Sequence, residues 1–263
     1  VQRADKTSAI ERFLKISDED AMISDSVVPP KRNFYTALSA SALESNSGIP
    51  GIDAIAENPL AAVQNFTAKM LLDYALGSAA LILFAPLLLA IALAVKLDSP
   101  GPVLFRQPRR GLNGRPFELF KFRSMHVHPI DPSALNQTFR DDPRVTRVGR
   151  WLRRFSLDEL PQLFNVLRGE MSLVGPRPHA LNTRIAGELL PALSPAYTRR
   201  YSVKPGITGW AQVNGARGAL ASRADLRRRI VYDLIYIQNR SVGFDLKIIA
   251  LTATREIISK SAF

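Results

Sequence analysis

Apolar residues run from Met70 to Val95, interrupted by Asp73, Gly77 and Pro86, and the part from Tyr74 to Val95 is 22 residues without a charge. That is the length of a helix able to cross a bilayer. Pro86 lies near the middle, where it removes a helical hydrogen bond and crowds the preceding turn, so a sharp kink is predicted there. Cations flank the run on both sides, with Lys69 before it and Lys96, Arg106, Arg109 and Arg110 after it. A simple span collects its excess on one side. The pattern therefore predicts a re-entrant helix–break–helix at 66–98 that dips into one leaflet, with both ends cytoplasmic. A straight span kinked at Pro86 and a buried core helix are the alternatives.

Downstream the periodicity changes. Val103 to Gln107 and Phe117 to Ser124 are short β-prone runs on either side of Asn113-Gly114, a hairpin signal. Residues 126–145 mix His, Pro, Asp, Asn and Gln with little periodicity and predict a loop able to close over a ligand. Helices are predicted over Val148 to Leu167, Ser222 to Gln238 and Asp245 to Ser259. The second opens on the capping box Ser222-Arg223-Ala224-Asp225 and places Leu226, Ile230, Leu234 and Ile237 on one stripe. These stripes pack a core or lie on a membrane surface, core packing being the commoner use.

Residues 1–65 are polar, with turn signals at Pro29-Pro30 and Ser47 to Gly51, and form a linker or the remnant of a preceding domain. The acidic run Asp18-Glu19-Asp20 reads as solvated surface. The chain starts at Val1 without a basic, then apolar, leader, which suggests a cut from a longer protein. The expected organisation is thus 1–65 linker, 66–98 membrane helix and 99–263 catalytic domain. The fold class is α+β and mostly helical: a small β-hairpin, then a helical cytosolic domain with amphipathic surface helices.

The 263 residues carry a net charge of +12 and no cysteine. A disulfide framework and thiolate metal sites are excluded. The charge is uneven: residues 1–68 hold six Lys/Arg against nine Asp/Glu, the remainder 29 against 14. Such a basic part meets nucleic acid, anionic lipid or phosphorylated small molecules, and the apolar run favours the membrane and argues against nucleic acid.

The richest stretch is Leu157 to Pro178, LDELPQLFNVLRGEMSLVGPRP. It sets Asp158 and Glu159 side by side among cations: Arg153, Arg154, Arg177 and, upstream, Lys121. A carboxylate attacking phosphorus meets like charge, so it needs such cations and a good leaving group. A magnesium ion held by one carboxylate and the substrate phosphates would supply the rest, with Glu159 its natural ligand if Asp158 attacks. A structural alternative stands beside this: Ser156-Leu157-Asp158-Glu159 also fits a capping box. Against it, Pro161 falls where an N–H would be needed, so a helix start nearer Pro161 is the other register. The Gly175-Pro176-Arg177-Pro178 turn presents one guanidinium, whose planar fork suits phosphate, or is simply a rigid turn. Trp210, in the Lys204 to Trp210 loop, stacks on a base, anchors at the lipid interface or fills a core. His126, His128 and His179 have no metal-ligand spacing, and there is no phosphate loop, dinucleotide fingerprint or nucleophile elbow.

Taken together, KFRSM at 121–125, RRFSLDELPQLFNVLRGEMSLVGPRP at 153–178, KPGITGWAQVNG at 204–215 and Asp245-Leu246-Lys247 resemble the bacterial sugar transferases, the monotopic polyprenol-phosphate sugar-1-phosphate transferases. The resemblance covers about Thr67 to Ser259 in one collinear order. It implies transfer of a sugar 1-phosphate from a UDP-sugar to undecaprenyl phosphate, with release of UMP, as the first membrane step of exopolysaccharide, capsule or O-antigen synthesis. By motif position, Asp158 would be the nucleophile forming a covalent phosphosugar intermediate, and Glu159 would hold Mg2+. Lys121, Arg153 and Arg177 would hold phosphate, Asp245 would be a further site residue, and Pro86 would be the break of the membrane helix. Ala85 stands where the family often has Ser before that proline. Gly51 to Leu60 looks like the end of the domain that precedes the catalytic one in long members, which handle glucose 1-phosphate or, failing that, galactose 1-phosphate. The implied location is the cytoplasmic face of the bacterial inner membrane, among anionic lipids, with a homo-oligomer allowed. A non-catalytic basic scaffold for lipids or assembly partners is the alternative.

Overall fold

In the computed structural model, residues 59–127 and 142–258 are described. The chain divides into two compact units, Val1–Ala62 and Val63–Phe263, and the contacts below lie within the second. Asp18 to Asp20 and the central part of the loop expected at 126–145 fall outside the described residues.

The apolar run folds as one helix, α1 (Pro59–Asp98), with Pro86 inside it. Helical structure continues on both sides of Pro86, which itself removes one backbone donor from the ladder. Its Thr67–Asp98 part is long and apolar enough to cross a membrane. Two segments of α1 are held by the rest of the unit. At the early one, Lys69 and Asp73 bond to groups near residues 172–174 and 245, and Gly77 passes within ordinary contact distance of Val166 and Leu167. At the late one, Ile91 and Val95 pack with Phe122 and Leu152. Between and around them Ile82, Leu83 and Leu89 stay exposed, at 76%, 73% and 73%. The last carbonyls of a helix lack intrahelical donors. Arg123 Nη2 supplies one, donating to Val95 O (3.1 Å) and Ser99 O (2.6 Å).

After α1, strands β1 (Leu104–Arg110) and β2 (Pro116–Phe122) pair antiparallel, Leu104 opposite Phe122 and Arg110 opposite Pro116. Asn113 and Gly114 turn the chain with φ of 55° and 71°, a region these two residue types tolerate. The stems of the following loop are joined, His126 N donating to Arg144 O at 2.8 Å.

The helix expected over Val148 to Leu167 is three pieces: α2 (Arg147–Arg154), a 3-10 turn (Leu157–Glu159) and α3 (Gln162–Leu167). Ser156 does not cap it. Its backbone is left-handed (φ 54°), its side chain makes no capping bond, and α3 starts just after Pro161. A proline five residues past a cap cannot donate, so the ladder stops and restarts beyond it. Helix α2 is instead capped by Thr146 Oγ1, which accepts from Gly149 N (2.9 Å), and by Asp98 Oδ2, which accepts from Val148 N (3.0 Å).

Strand β3 (Ser172–Val174) pairs in parallel with β6 (Gly206–Thr208), and β4 (Arg184–Ile185) antiparallel with β5 (Glu188–Leu189). A short helix α4 (Leu190–Leu193) and a 3-10 segment (Pro195–Ser202) lie between β5 and β6; α5 (Trp210–Val213), α6 (Arg223–Asn239) and α7 (Val242–Ile258) follow. The capping box at Ser222 forms: Ser222 Oγ accepts from Asp225 N (3.1 Å) and Asp225 Oδ2 accepts from Ser222 N (3.0 Å). The stripe Leu226, Ile230 and Leu234 is buried with Tyr197, Leu190 and Leu220. The fold is α+β and mostly helical, with one long apolar helix and small sheets.

Candidate active site

Three segments build the site. Lys121 sits on β2, whose backbone is gripped by the fully buried Asn165 of α3: Phe120 N donates to Asn165 Oδ1 (3.0 Å) and Asn165 Nδ2 donates to Glu118 O (2.6 Å). Asp158 and Glu159 lie in the 3-10 turn between α2 and α3. Arg177 follows β3, in a turn that needs glycine on both sides of a close approach: a Cβ on Gly206 would lie 2.0 Å from Gly175 N. Gly175 N donates to Thr208 O (2.9 Å) and Gly206 N to Pro176 O (3.1 Å), fixing where the turn leaves the sheet.

At their meeting point the two carboxylates are treated unequally. Glu159 accepts from Lys121 Nζ (2.6 Å) and, across the guanidinium fork, from Arg177 Nη1 (2.9 Å) and Nη2 (2.5 Å). Burial pushes its carboxyl up, but Arg177 and Lys121 outweigh burial and hold it well below the usual glutamate range. Asp158 is 4.0 Å from Lys121 Nζ and accepts no hydrogen bond among the described residues, although its side chain keeps a 10% exposure. Burial raises its pKa, Lys121 opposes this and Glu159 adds to it. The arrangement is one carboxylate whose charged form two cations favour and, beside it, a largely buried carboxylate that accepts no hydrogen bond among the described residues. Such an arrangement can present a carboxylate oxygen to an electrophile that those cations polarise.

Arg153, from α2, reaches the same neighbourhood: Nε donates to Ser124 Oγ (3.0 Å). Burial lowers its pKa, and the nearby Asp158 charge opposes that shift. So Asp158, Glu159, Lys121, Arg153 and Arg177, spread over 57 positions of sequence, come together. Asp245 makes its contacts elsewhere. It is 1% exposed, on α7, and accepts from Lys69 Nζ (2.5 Å) and Tyr236 Oη (2.8 Å). Lys69 and Tyr236 also donate to Val174 O (3.2 and 2.9 Å), and Asp73 accepts from Ser172 Oγ (3.1 Å) and Leu173 N (3.0 Å). Trp210 packs against Phe244 beside the core of Val174, Tyr236 and Ile248. Pro86 lies within the membrane-helix candidate.

The pattern of the sequence missed two groups. Lys69 and Asp73 carried a signal, since a charge at the border of an apolar run needs a partner. Arg109, Arg200, Arg229 and Asp233 carried none. Among the described residues no three His, Cys, Asp or Glu side chains gather as a metal cage. A magnesium ion usually keeps its waters and takes one or two carboxylates plus substrate phosphates; Glu159 could serve as such a ligand by exchanging bonds it now makes to Lys121 and Arg177, and Asp158 lies beside it.

The site gathers two carboxylates, two arginines and a lysine against a unit that carries one long apolar helix, an arrangement able to hold phosphate groups. The "Bacterial sugar transferase" family model matches residues 64–259, and the chain belongs to that family. Among curated relatives, the chain is 62% identical over 183 residues to an undecaprenyl-phosphate glucose phosphotransferase of Komagataeibacter xylinus, covering 70% of this chain and 34% of that protein. It is 48% identical over 223 residues to a UDP-glucose:undecaprenyl-phosphate glucose-1-phosphate transferase of Escherichia coli K12, covering 85% and 47%. Against the exopolysaccharide production protein PSS of Rhizobium leguminosarum it is 47% identical over 195 residues, covering 74% of this chain and 98% of that one. The chain thus matches less than half the length of the first two relatives and nearly all of the third.

Proposed function

We propose that this chain transfers glucose 1-phosphate from UDP-glucose to undecaprenyl phosphate, by two displacements through a phosphosugar on Asp158. The observation that carries the reading is the unequal pair: Asp158 without a hydrogen-bonded partner among the described residues, next to a Glu159 that pins Lys121 and Arg177. In the first displacement an oxygen of Asp158 bonds to the phosphorus that bears the sugar, and the bond from that phosphorus to the bridging oxygen breaks. UMP leaves with the electron pair. In the second, an oxygen of undecaprenyl phosphate attacks the same phosphorus and Asp158 departs as carboxylate. Lys121, Arg153 and Arg177 neutralise the phosphate oxygens in both, which is where charge builds. Glu159 would hold Mg2+, which would supply further neutralisation of charge on the departing phosphate. The names of the relatives above support glucose as the sugar and the polyprenol phosphate as acceptor.

The two held segments of α1 bear on topology. Lys69, Asp73 and Gly77 touch β3, α3 and α7, while Ile91, Val95 and Asp98 touch β2 and α2. A straight span would put those segments on opposite sides of a hydrocarbon layer about 30 Å thick. Contact of both with one globular unit supports a helix that enters and leaves on the same, cytoplasmic, face of the inner membrane, with Pro86 between the held segments. A bilayer-bound phosphate and a soluble nucleotide then meet at the interface. UMP release from UDP-sugars, measured with undecaprenyl phosphate and magnesium, tests the reading; no release with any UDP-sugar, in protein that is folded and membrane-bound, would refute it.

A further inference from the structure

Three arginines that no step above uses converge on three consecutive residues of the Arg177 turn. Arg200, in the 3-10 segment, donates from Nη2 to the Arg177 carbonyl (2.7 Å) and places Nη1 3.1 Å from His179 Nδ1. Arg109, on β1, donates from Nη1 to the Pro178 carbonyl (3.0 Å), and a backbone bridge joins Arg109 to Ala180. Arg229, on α6, places Nη1 3.1 Å from His179 Nε2 and anchors its other nitrogens on Ala216 O (3.0 Å) and Gly218 O (3.1 Å). Tyr197 Oη lies 2.9 Å from His179 Nδ1.

So many cations in one buried place repel one another. Burial first, then Arg177, lowers Arg109 and Arg229 to about 10, and burial with the surrounding arginines keeps His179 neutral. A neutral imidazole offers one acceptor nitrogen, so according to its tautomer His179 receives a hydrogen bond either at Nε2, from Arg229, or at Nδ1, where Arg200 and Tyr197 lie. Arg200 is the exception to the crowding. Its Nε donates to Asp233 Oδ2 at 2.7 Å, the pair being 4% and 1% exposed, and its charge is favoured. Removing one member of such a pair leaves an uncompensated buried charge.

We propose that Asp233 is a positioning residue for catalysis: through Arg200 it fixes the main chain at Arg177, so that the Arg177 guanidinium stays forked across Glu159 and Asp158 is left to the substrate. The proposal rests on the function given above. Asp233 touches neither carboxylate nor substrate; it acts along the chain Asp233, Arg200, Arg177 carbonyl, Arg177 fork, Glu159.

The test is a cycle on the full chain in detergent or nanodiscs, with UMP release from UDP-glucose as the rate. Asp233→Asn, nearly isosteric, lowers kcat by about a hundredfold, the scale of a misplaced catalytic group, with KM changed by less than about threefold. In an Arg177→Ala background the same change costs less than about twofold, because the group it positions is gone. An equal cost in both backgrounds would mean an independent structural effect and would overturn the proposal. Arg200→Lys is the second variant: one ammonium in place of a fork cannot serve both Asp233 and the Arg177 carbonyl, so it shows the same kcat loss; wild-type turnover would contradict it. Hydrogen exchange separates this from a failure of the functional reading, since it needs no turnover. Asp233→Asn speeds exchange at the amides of residues 175–180 by about tenfold or more and leaves those of 116–122 unchanged, as local loosening requires. Unchanged exchange at 175–180, or a uniform rise across the chain, would overturn the positioning role whether or not UMP is released.

Discussion

Two lysines in this molecule each stand between two carboxylates, at nearly the same distances. Lys121 lies 2.6 Å from Glu159 and 4.0 Å from Asp158, while Lys69 lies 2.5 Å from Asp245 and 3.9 Å from Asp73. What differs is everything else around the carboxylates. In the Lys69 cluster neutral donors complete both acids: Tyr236 Oη serves Asp245, while Ser172 Oγ and Leu173 N serve Asp73. In the Lys121 cluster a second cation, Arg177, doubles up on Glu159 and Asp158 receives no hydrogen bond among the described residues. The first arrangement ties α1 to β3 and α7 and is finished. The second is poised, because its free bonding capacity lies on a carboxylate whose charged form burial has made costly.

The sharpest way to break this contrast is to neutralise one acid in each cluster. Asp158→Asn is expected to cut UMP release by at least about a thousandfold with membrane association and folding intact. Asp245→Asn is expected to lower the melting temperature while keeping the rate within about tenfold, since misplacement through the scaffold costs less than losing the nucleophile. Equal kinetic losses would erase the distinction between the clusters. Next in size, Lys69→Met strands Asp245 and costs about 3 kcal/mol, the scale for breaking a buried pair. Adding Asp245→Leu to it should recover most of that, and denaturant titration of the two proteins checks it. Arg177→Lys exchanges a fork for a point charge and is expected to lower kcat by about a hundredfold, comparable to removing one preorganised donor.

The pH dependence sharpens the same contrast. With Asp158 as the proposed nucleophile, only its ionised form attacks, so activity is expected to rise with pH through its pKa, which burial raises above the ordinary aspartate range. Glu159→Gln removes a like charge and frees Lys121 and Arg177 to act on Asp158, so the acid limb of kcat/KM should move to lower pH; a limb that stays or climbs would assign it to another group. The stability signs are opposite for the two acids. Glu159, held below its ordinary value, contributes stability above the unfolded glutamate pKa that is lost as pH falls toward its folded one. Asp158, held above its ordinary value, costs stability as pH rises from the unfolded aspartate pKa through the folded one.

The smallest effects concern two serines that look alike in sequence. Ser222 and Ser156 each precede an acid at the third following position, yet only Ser222 caps a helix. Ser222→Ala is expected to cost about 1 kcal/mol. Ser156→Gly is expected to be neutral or to stabilise by up to about 1 kcal/mol, because its left-handed backbone suits glycine. Thermal melts of both variants decide. This difference also marks what could be read from the chain alone. The capping box, the stripe from Leu226 to Leu234 and the apolar run of α1 are local patterns, and each appears where its periodicity placed it. Pro161 was visible, and it is what breaks the expected long helix into α2, a turn and α3. Asp158 and Glu159 stood out through their motif. That Arg177 would fork Glu159, that Asp245 would meet Lys69 across 176 positions, and that Asp233 would hold Arg200 are long-range facts. No local periodicity encodes them; only the packing of β3, α6 and α7 brings these residues together.

The most direct measurement is mass spectrometry of the protein after brief exposure to UDP-glucose without acceptor lipid. A hexose phosphate adduct is expected on the peptide carrying Asp158, lost on adding undecaprenyl phosphate and absent from Asp158→Asn. An enzyme that releases UMP and turns over, yet never carries that adduct, would contradict it.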